Sequence, residues 1–251
     1  MGKWAETKEA YYGRPDSSEE NTGRVLPILF NTEMVRAILD GRKTVTRRVM
    51  KPQPLYYTGR RYLFADEDCQ KKWEDCDNII ETYQYQPGDI LYVRETWAFI
   101  PCIECTGSDC CYKTPSYYED KEVESIGCYI YRSGFPEYAD SKRITWRPSI
   151  HMPKEAARIW LKVTDVRVER LMNMTEQQAE AEGIHFDDCP AGYTWKSETD
   201  IHNCYTNPVA AMAALWNKTL TKEQKDRFGW DANPWVWVIE FERCKKPRYG
   251  R

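Results

Sequence analysis

The chain has 251 residues, with 36 Lys and Arg against 39 Asp and Glu and a formal charge of −3. That length suits one large domain or two small ones, and 41% hydrophobic with 30% charged residues is the balance of a soluble globular protein. A slightly acidic chain excludes a surface coated in positive potential for long duplexes, so contact with nucleic acid has to be local.

No apolar run reaches the roughly 18 residues of a membrane span, and Met1–Asn21 lacks the apolar stretch of a secretory signal. A cytoplasmic protein without membrane contact is expected. In that reducing setting the 10 Cys are read as free thiols or metal ligands rather than a disulfide framework. The 10 Trp and 17 Tyr can stack on bases, although filling a core is their commoner use.

Residues 1–24 are polar and read as a flexible leader. Val25–Phe30 is the first dense apolar run, a strand that Pro27 places at an edge or a strand start. Met34, Val35, Ile38 and Leu39 then share one face of a helix, with Asn31 or Thr32 as N-cap and Gly41 as its left-handed stop. The β-branched Thr44-Val45-Thr46 follows. Between Arg36 and Lys51 stand six cations and one acid, Asp40, which makes this the local basic patch.

From Gln53 to Gln86 periodicity is lost, and a long insertion or irregular ribbon is expected at about 53–86. Gln86-Pro87-Gly88-Asp89 is a turn leading into the strand Ile90–Val93 and on to Trp97. A second insertion, about 99–143, carries Cys102, Cys105, Cys110 and Cys128, with Cys111 as an alternative. A Cys-x2-Cys knuckle is half of a tetrahedral zinc site, and a loop so poor in apolar residues needs something to order it; no second knuckle completes the pattern, so structural zinc and scattered thiols in a loop are the two readings.

Trp146–Pro153 is a stiff connector in which His151 reads as a structural hydrogen-bonder. Ala157–Val168 reads as a strand or bent strand pair. Thr175 and Gln178 form a capping box for a helix from Glu176 to about Glu182, stopped by Gly183. A buried Glu182 at that negative helix end would have a raised pKa and be useful for proton transfer. Residues 185–206 read as a loop, Pro208–Trp216 as a helix and Thr221–Gly229 as a short capped one. Trp235–Phe241 reads as a strand buried on both faces, before a basic tail over 248–251. One domain over 25–247 with two insertions accommodates all of this.

Four stretches together resemble the ASCH domain, in the larger phage or prophage type. They are Gly41-Arg42-Lys43-Thr44-Val45-Thr46-Arg47-Arg48, Gly88–Val93, Leu171–Gly183 and Trp235–Phe241, with Trp146–Pro153 and Trp230–Trp235 in support. The resemblance implies an α+β, mainly β fold, a PUA-like antiparallel β-barrel with flanking helices, and a cleft for RNA or a modified nucleoside or nucleotide. Small members similar to this chain are amidohydrolases that remove the acetyl group of N4-acetylcytidine without a cofactor. Their catalytic Lys, Thr and Glu match Lys43, Thr46 and Glu182, while other members are ribonucleases or binders only.

The trio makes chemical sense. A Thr hydroxyl needs a base, and flanking Arg42, Arg47 and Arg48 with burial would depress Lys43 enough to serve. Glu182 can orient the lysine or pass a proton to the leaving amine. Arg42, Arg47 and Arg48 are candidate anion contacts, Arg48 the best placed for a phosphate or carbonyl oxygen, and Trp97 is a candidate for base stacking. Residues 43 and 46 would face opposite sides of a regular strand, so a bend beyond Gly41 is required for them to meet.

Overall fold

The computed structural model describes residues 23–65, 70–101, 127–134, 144–189, 192–196 and 205–247. The chain starts with β1 (Val25–Leu29) and turns into α1 (Thr32–Leu39). Asn31 caps α1, its side-chain oxygen accepting from the Met34 N–H at 2.8 Å. Gly41, at φ 75°, ends the helix in the left-handed region that a residue with a Cβ rarely adopts, and β2 (Val45–Val49) follows.

The segment expected to be irregular is built instead as a small three-stranded antiparallel sheet with a helix. Its elements are β3 (Tyr56–Tyr57), β4 (Arg61–Ala65), β5 (Lys71–Asp75) and α2 (Cys76–Thr82). It folds because one face has a long-range partner: Tyr62 is buried edge-on against Trp235 at 5.1 Å and 89°, a favourable geometry for two aromatic quadrupoles.

Next come β6 (Ile90–Arg94), the hairpin of β7 (Trp97–Pro101) and β8 (Gly127–Tyr131), and the long β9 (Trp160–Arg170). α3 (Glu176–Ala181) carries the expected capping box, both halves being made between Thr175 and Gln178. Residues expected to be a loop include a second hairpin, β10 (His185–Cys189) with β11 (Gly192–Lys196). α4 (Pro208–Lys218), α5 (Lys222–Phe228) and β12 (Trp235–Cys244) complete the chain.

The architecture is α+β and strand-rich. Five strands form the main sheet in the order β1-β6-β9-β12-β2, with β1 and β6 parallel and the other neighbours antiparallel. β12 runs between β9 and β2 and separates two cores, as its continuous apolar run Trp235–Ile239 requires. Trp235, Trp237, Ile239 and Phe241 face the core that includes α1 and the 53–86 insertion, whereas Val236 and Val238 face the core of α3 and α4. A third cluster, around Trp97, Tyr131, Met152 and Trp160, ties the β7–β8 hairpin to the connector before β9.

The sheet is open among the described residues, β1 and β2 being its two edges. One side chain spans that seam: Arg48 of β2 donates from Nη2 to the Leu29 carbonyl of β1 at 3.0 Å. No helix of the described residues is long and apolar enough to cross a membrane. Residues 1–22 of the expected leader and the tail at 248–251 lie outside the described residues.

Candidate functional site

The site begins at the turn after α1. The N–H groups of Arg42 and Lys43 both donate to the Ala37 carbonyl, at 2.9 and 3.0 Å, which closes the helix and aims the chain at α3. Lys43 makes an isolated antiparallel bridge with Glu182, and the Thr44 N–H donates to the Ala181 carbonyl at 2.8 Å. Regular strand starts only at Val45, and the chain through Lys43 and Thr44 makes a close approach to the end of α3. Gly183 makes room for it: at φ 103° a Cβ there would sit 3.0 Å from the Ala37 Cβ and 3.6 Å from the Lys43 Cβ.

Lys43 is fully enclosed, with its side chain 0% exposed. Its ammonium donates to Glu182 Oε2 at 2.5 Å, the Val45 carbonyl at 2.7 Å and the Glu182 carbonyl at 3.0 Å. Those are all three donors an ammonium has. Burial pulls Lys43 below the ordinary lysine range, with Arg48 and Arg47 adding to the effect and Glu182 opposing it. The second carboxylate oxygen, Glu182 Oε1, accepts from Arg47 Nη1 at 3.1 Å. Arg47 also reaches Glu169 at 3.5 Å, yet its Nε N–H is buried with no partner.

A cavity of about 590 Å³ opens onto this group through the seam between β1 and β2. Thr46, Arg47, Arg48 and Glu182 are among its lining residues, with Trp216 of α4 and Tyr85. Lys43 lies behind them, linked to the cavity through Glu182. Thr46 Oγ1 accepts from Arg48 Nη1 at 2.8 Å, a charge-assisted bond that favours the alkoxide form of the hydroxyl. Phe30 backs the site, its ring centroid 5.8 Å from Lys43 Nζ and 5.5 Å from the Arg48 guanidinium.

The structure thus brings Lys43 to Glu182 and sets Thr46 on the same cavity as Glu182. It does not join Lys43 directly to Thr46, since the three lysine donors are taken elsewhere. Arg47 and Arg48 face the cavity. Arg42 instead fastens the Gly41 turn, donating to the Gly183 carbonyl at 3.2 Å and to Asp40 Oδ2 at 2.9 Å. Trp97 is 4% exposed in the third core cluster, paired with Tyr131 across the hairpin and covered by the Arg147 guanidinium at 5.1 Å. It packs there rather than lining the cavity.

Phe30, Tyr85 and Trp216 carry no sequence signal for a site and were reached only by long-range packing. Of the proposed zinc ligands, Cys102, Cys105, Cys110 and Cys111 lie outside the described residues, and Cys128 is described only as a backbone position of β8.

Comparison of the chain with family models, with curated proteins and with solved structures gives no match. What the fold and site define is a strand-rich α+β protein with a buried Lys–Glu–Arg cluster beside a largely apolar cavity.

Proposed function

We propose that the protein is an ASCH-type hydrolase with a PUA-like fold that removes an acyl group from a modified nucleoside, an amide like that of N4-acetylcytidine. The observation that carries this reading is the buried Lys43–Glu182–Arg47 cluster against a cavity that Thr46 also lines. A largely antiparallel five-stranded sheet whose two edge strands are linked by Arg48 supports the fold assignment.

In this reading Thr46 Oγ1 attacks the acyl carbon. The proton it gives up enters the Glu182–Lys43 pair, where burial has already weakened the hold of the lysine on its own proton. Glu182, bonded to Lys43 and lining the cavity, then delivers a proton to the leaving amine, and water cleaves the resulting Thr46 ester, releasing the carboxylic acid and restoring the hydroxyl. The negative charge on the carbonyl oxygen needs fixed donors. The orphan Nε N–H of Arg47 is one, and Arg48 supplies the adjacent positive charge. A cavity of about 590 Å³ has the size of a small-molecule site.

One observation favours a binding-only reading: every donor of the Lys43 ammonium is occupied, so the lysine must lose a proton before it can act. A single experiment separates the readings. The protein is incubated with N4-acetylcytidine and with RNA, and products are resolved by chromatography. Deacetylation that disappears in Lys43→Ala and Thr46→Val is the expected result. Wild type indistinguishable from Lys43→Ala on both substrates leaves a binding module, and cleavage of RNA without deacetylation makes the site a ribonuclease.

A further inference from the structure

The 53–86 insertion does more than cover the core. A second cavity, of about 560 Å³, lies between the insertion and β2 and shares Arg48, Val49, Gln84 and Tyr85 with the first. Phe64 of β4 and Ile79 of α2 form its insertion side, and Met50 and Trp237 its core side. Tyr83 stacks on Trp237 at 4.0 Å and 14° and borders the cavity with it. Asn78 and Gln84 bring exposed amides to the rim. The lining acid, Glu74, is paired with Lys72 at 2.5 Å, so the positive charges of Arg48 and Lys51 are left to set the potential.

We infer that this second cavity is a subsite for a neighbouring nucleotide, so that the substrate is a strand of at least two nucleotides rather than a free nucleoside. The inference rests on the nucleoside reading of the first cavity. Two cavities with apolar, partly aromatic walls and amide-bearing rims, joined at an arginine, repeat the layout of two bases joined by a phosphodiester. Bases bind such walls through their flat faces whatever their sequence, and amides reach their edges. Arg48 stands where the linking phosphate passes, and exposed Lys51 lies beside it on the second cavity.

The test is equilibrium titration of the wild-type chain with cytidine 3′- and 5′-monophosphates and with the dinucleotides CpA and ApC. One dinucleotide is expected to bind at least tenfold tighter than the matching monophosphate, and Asn78→Trp, which fills the second cavity, is expected to remove that gain. Circular dichroism confirms that the variant folds. Equal affinity for monophosphates and dinucleotides overturns the inference, as does a gain that Asn78→Trp leaves intact. The two layers fail separately. Hydrolysis of N4-acetylcytidine without a dinucleotide advantage removes the subsite and keeps the chemistry. An advantage without any hydrolysis keeps the subsite and removes the chemistry.

Discussion

Glu182→Gln is expected to be the most damaging single change at the site, in stability as well as activity. The carboxylate is 6% exposed and holds a cation on each oxygen, Lys43 at 2.5 Å and Arg47 at 3.1 Å. Glutamine keeps the shape, but its amide presents an acceptor to one cation and donors to the other, leaving the buried Lys43 without a counter-ion and Arg47 with Glu169 alone, at 3.5 Å. Stranding a charge in this way costs about 3–5 kcal/mol. Lys43→Met removes one of the two cations instead. Glu182 then keeps Arg47, and the loss is confined to hydrogen bonds with Glu182 and Val45, about 1–3 kcal/mol.

The double variant Lys43→Met/Glu182→Gln leaves only Arg47, still beside Glu169, and is expected to be less destabilised than the sum of the singles by ~1–3 kcal/mol. Urea unfolding of the four proteins at pH 7 measures the cycle. In thermal unfolding ~2–4 °C per kcal/mol applies at this size, so Glu182→Gln should fall by about 6–20 °C. Equal stability of Glu182→Gln and wild type, or strict additivity in the cycle, would refute the claim that this carboxylate is the counter-ion of a buried pair.

Thr46→Val keeps the side-chain volume and removes the proposed nucleophile; kcat should fall by roughly a hundredfold or more, and steady-state kinetics showing an unchanged kcat would sink the assignment. Because Lys43 sits below its ordinary value of 10.5 in the folded chain, the unfolded chain binds the extra proton between the folded value and 10.5. Stability of wild type relative to Lys43→Met should therefore rise with pH across that window, and kcat/KM should rise as the amine loses its proton. A flat difference in denaturation midpoints up to pH 10.5 contradicts this. Arg48→Lys cannot reach Thr46 Oγ1 and the Leu29 carbonyl together, so KM should increase about tenfold, ~1.4 kcal/mol; an unchanged KM argues against Arg48 as a substrate contact. Protein purified without chelators should carry about one equivalent of zinc if the Cys102–Cys128 cluster is a structural site, and less than about half an equivalent by metal analysis removes it.

Features encoded within a few residues were legible in the sequence. The Asn31 cap, the Gly41 stop, the Thr175–Gln178 box and the doubly buried β12 each follow from local chemistry, and each appears where expected. The 53–86 sheet was not legible, because β4 is held by what Tyr62 meets at Trp235, more than 170 residues on. The hairpin at 185–196 was missed for a similar reason: Trp195 makes its bridge to Tyr205, beyond the turn that a local reading sees. Trp97 shows the limit for single aromatics, since burial against Tyr129 and Tyr131 and stacking on a base call for the same residue type. The Lys43–Glu182 contact spans 139 positions, which no periodicity reports; only the ordered motifs of the ASCH resemblance linked them.

The ionic cluster also bears on whether the site is structural or chemical. Burying a lysine and a glutamate costs several kcal/mol of desolvation per ion, and well-packed apolar side chains of the same volume often stabilise a core as well or better. The junction of β2 with α3 is already held by backbone bonds, Thr44 to Ala181 and the Lys43–Glu182 bridge, and Gly183 brings the chains close without help from charge. Stability alone therefore does not call for ions at this place. Their arrangement is directional: Glu182 lines the cavity, Lys43 stands behind it, and Arg47, which also lines the cavity, keeps one buried N–H unmatched. A donor of that kind is costly until an acceptor arrives, and under the proposed hydrolase reading the carbonyl of the amide substrate would be that acceptor.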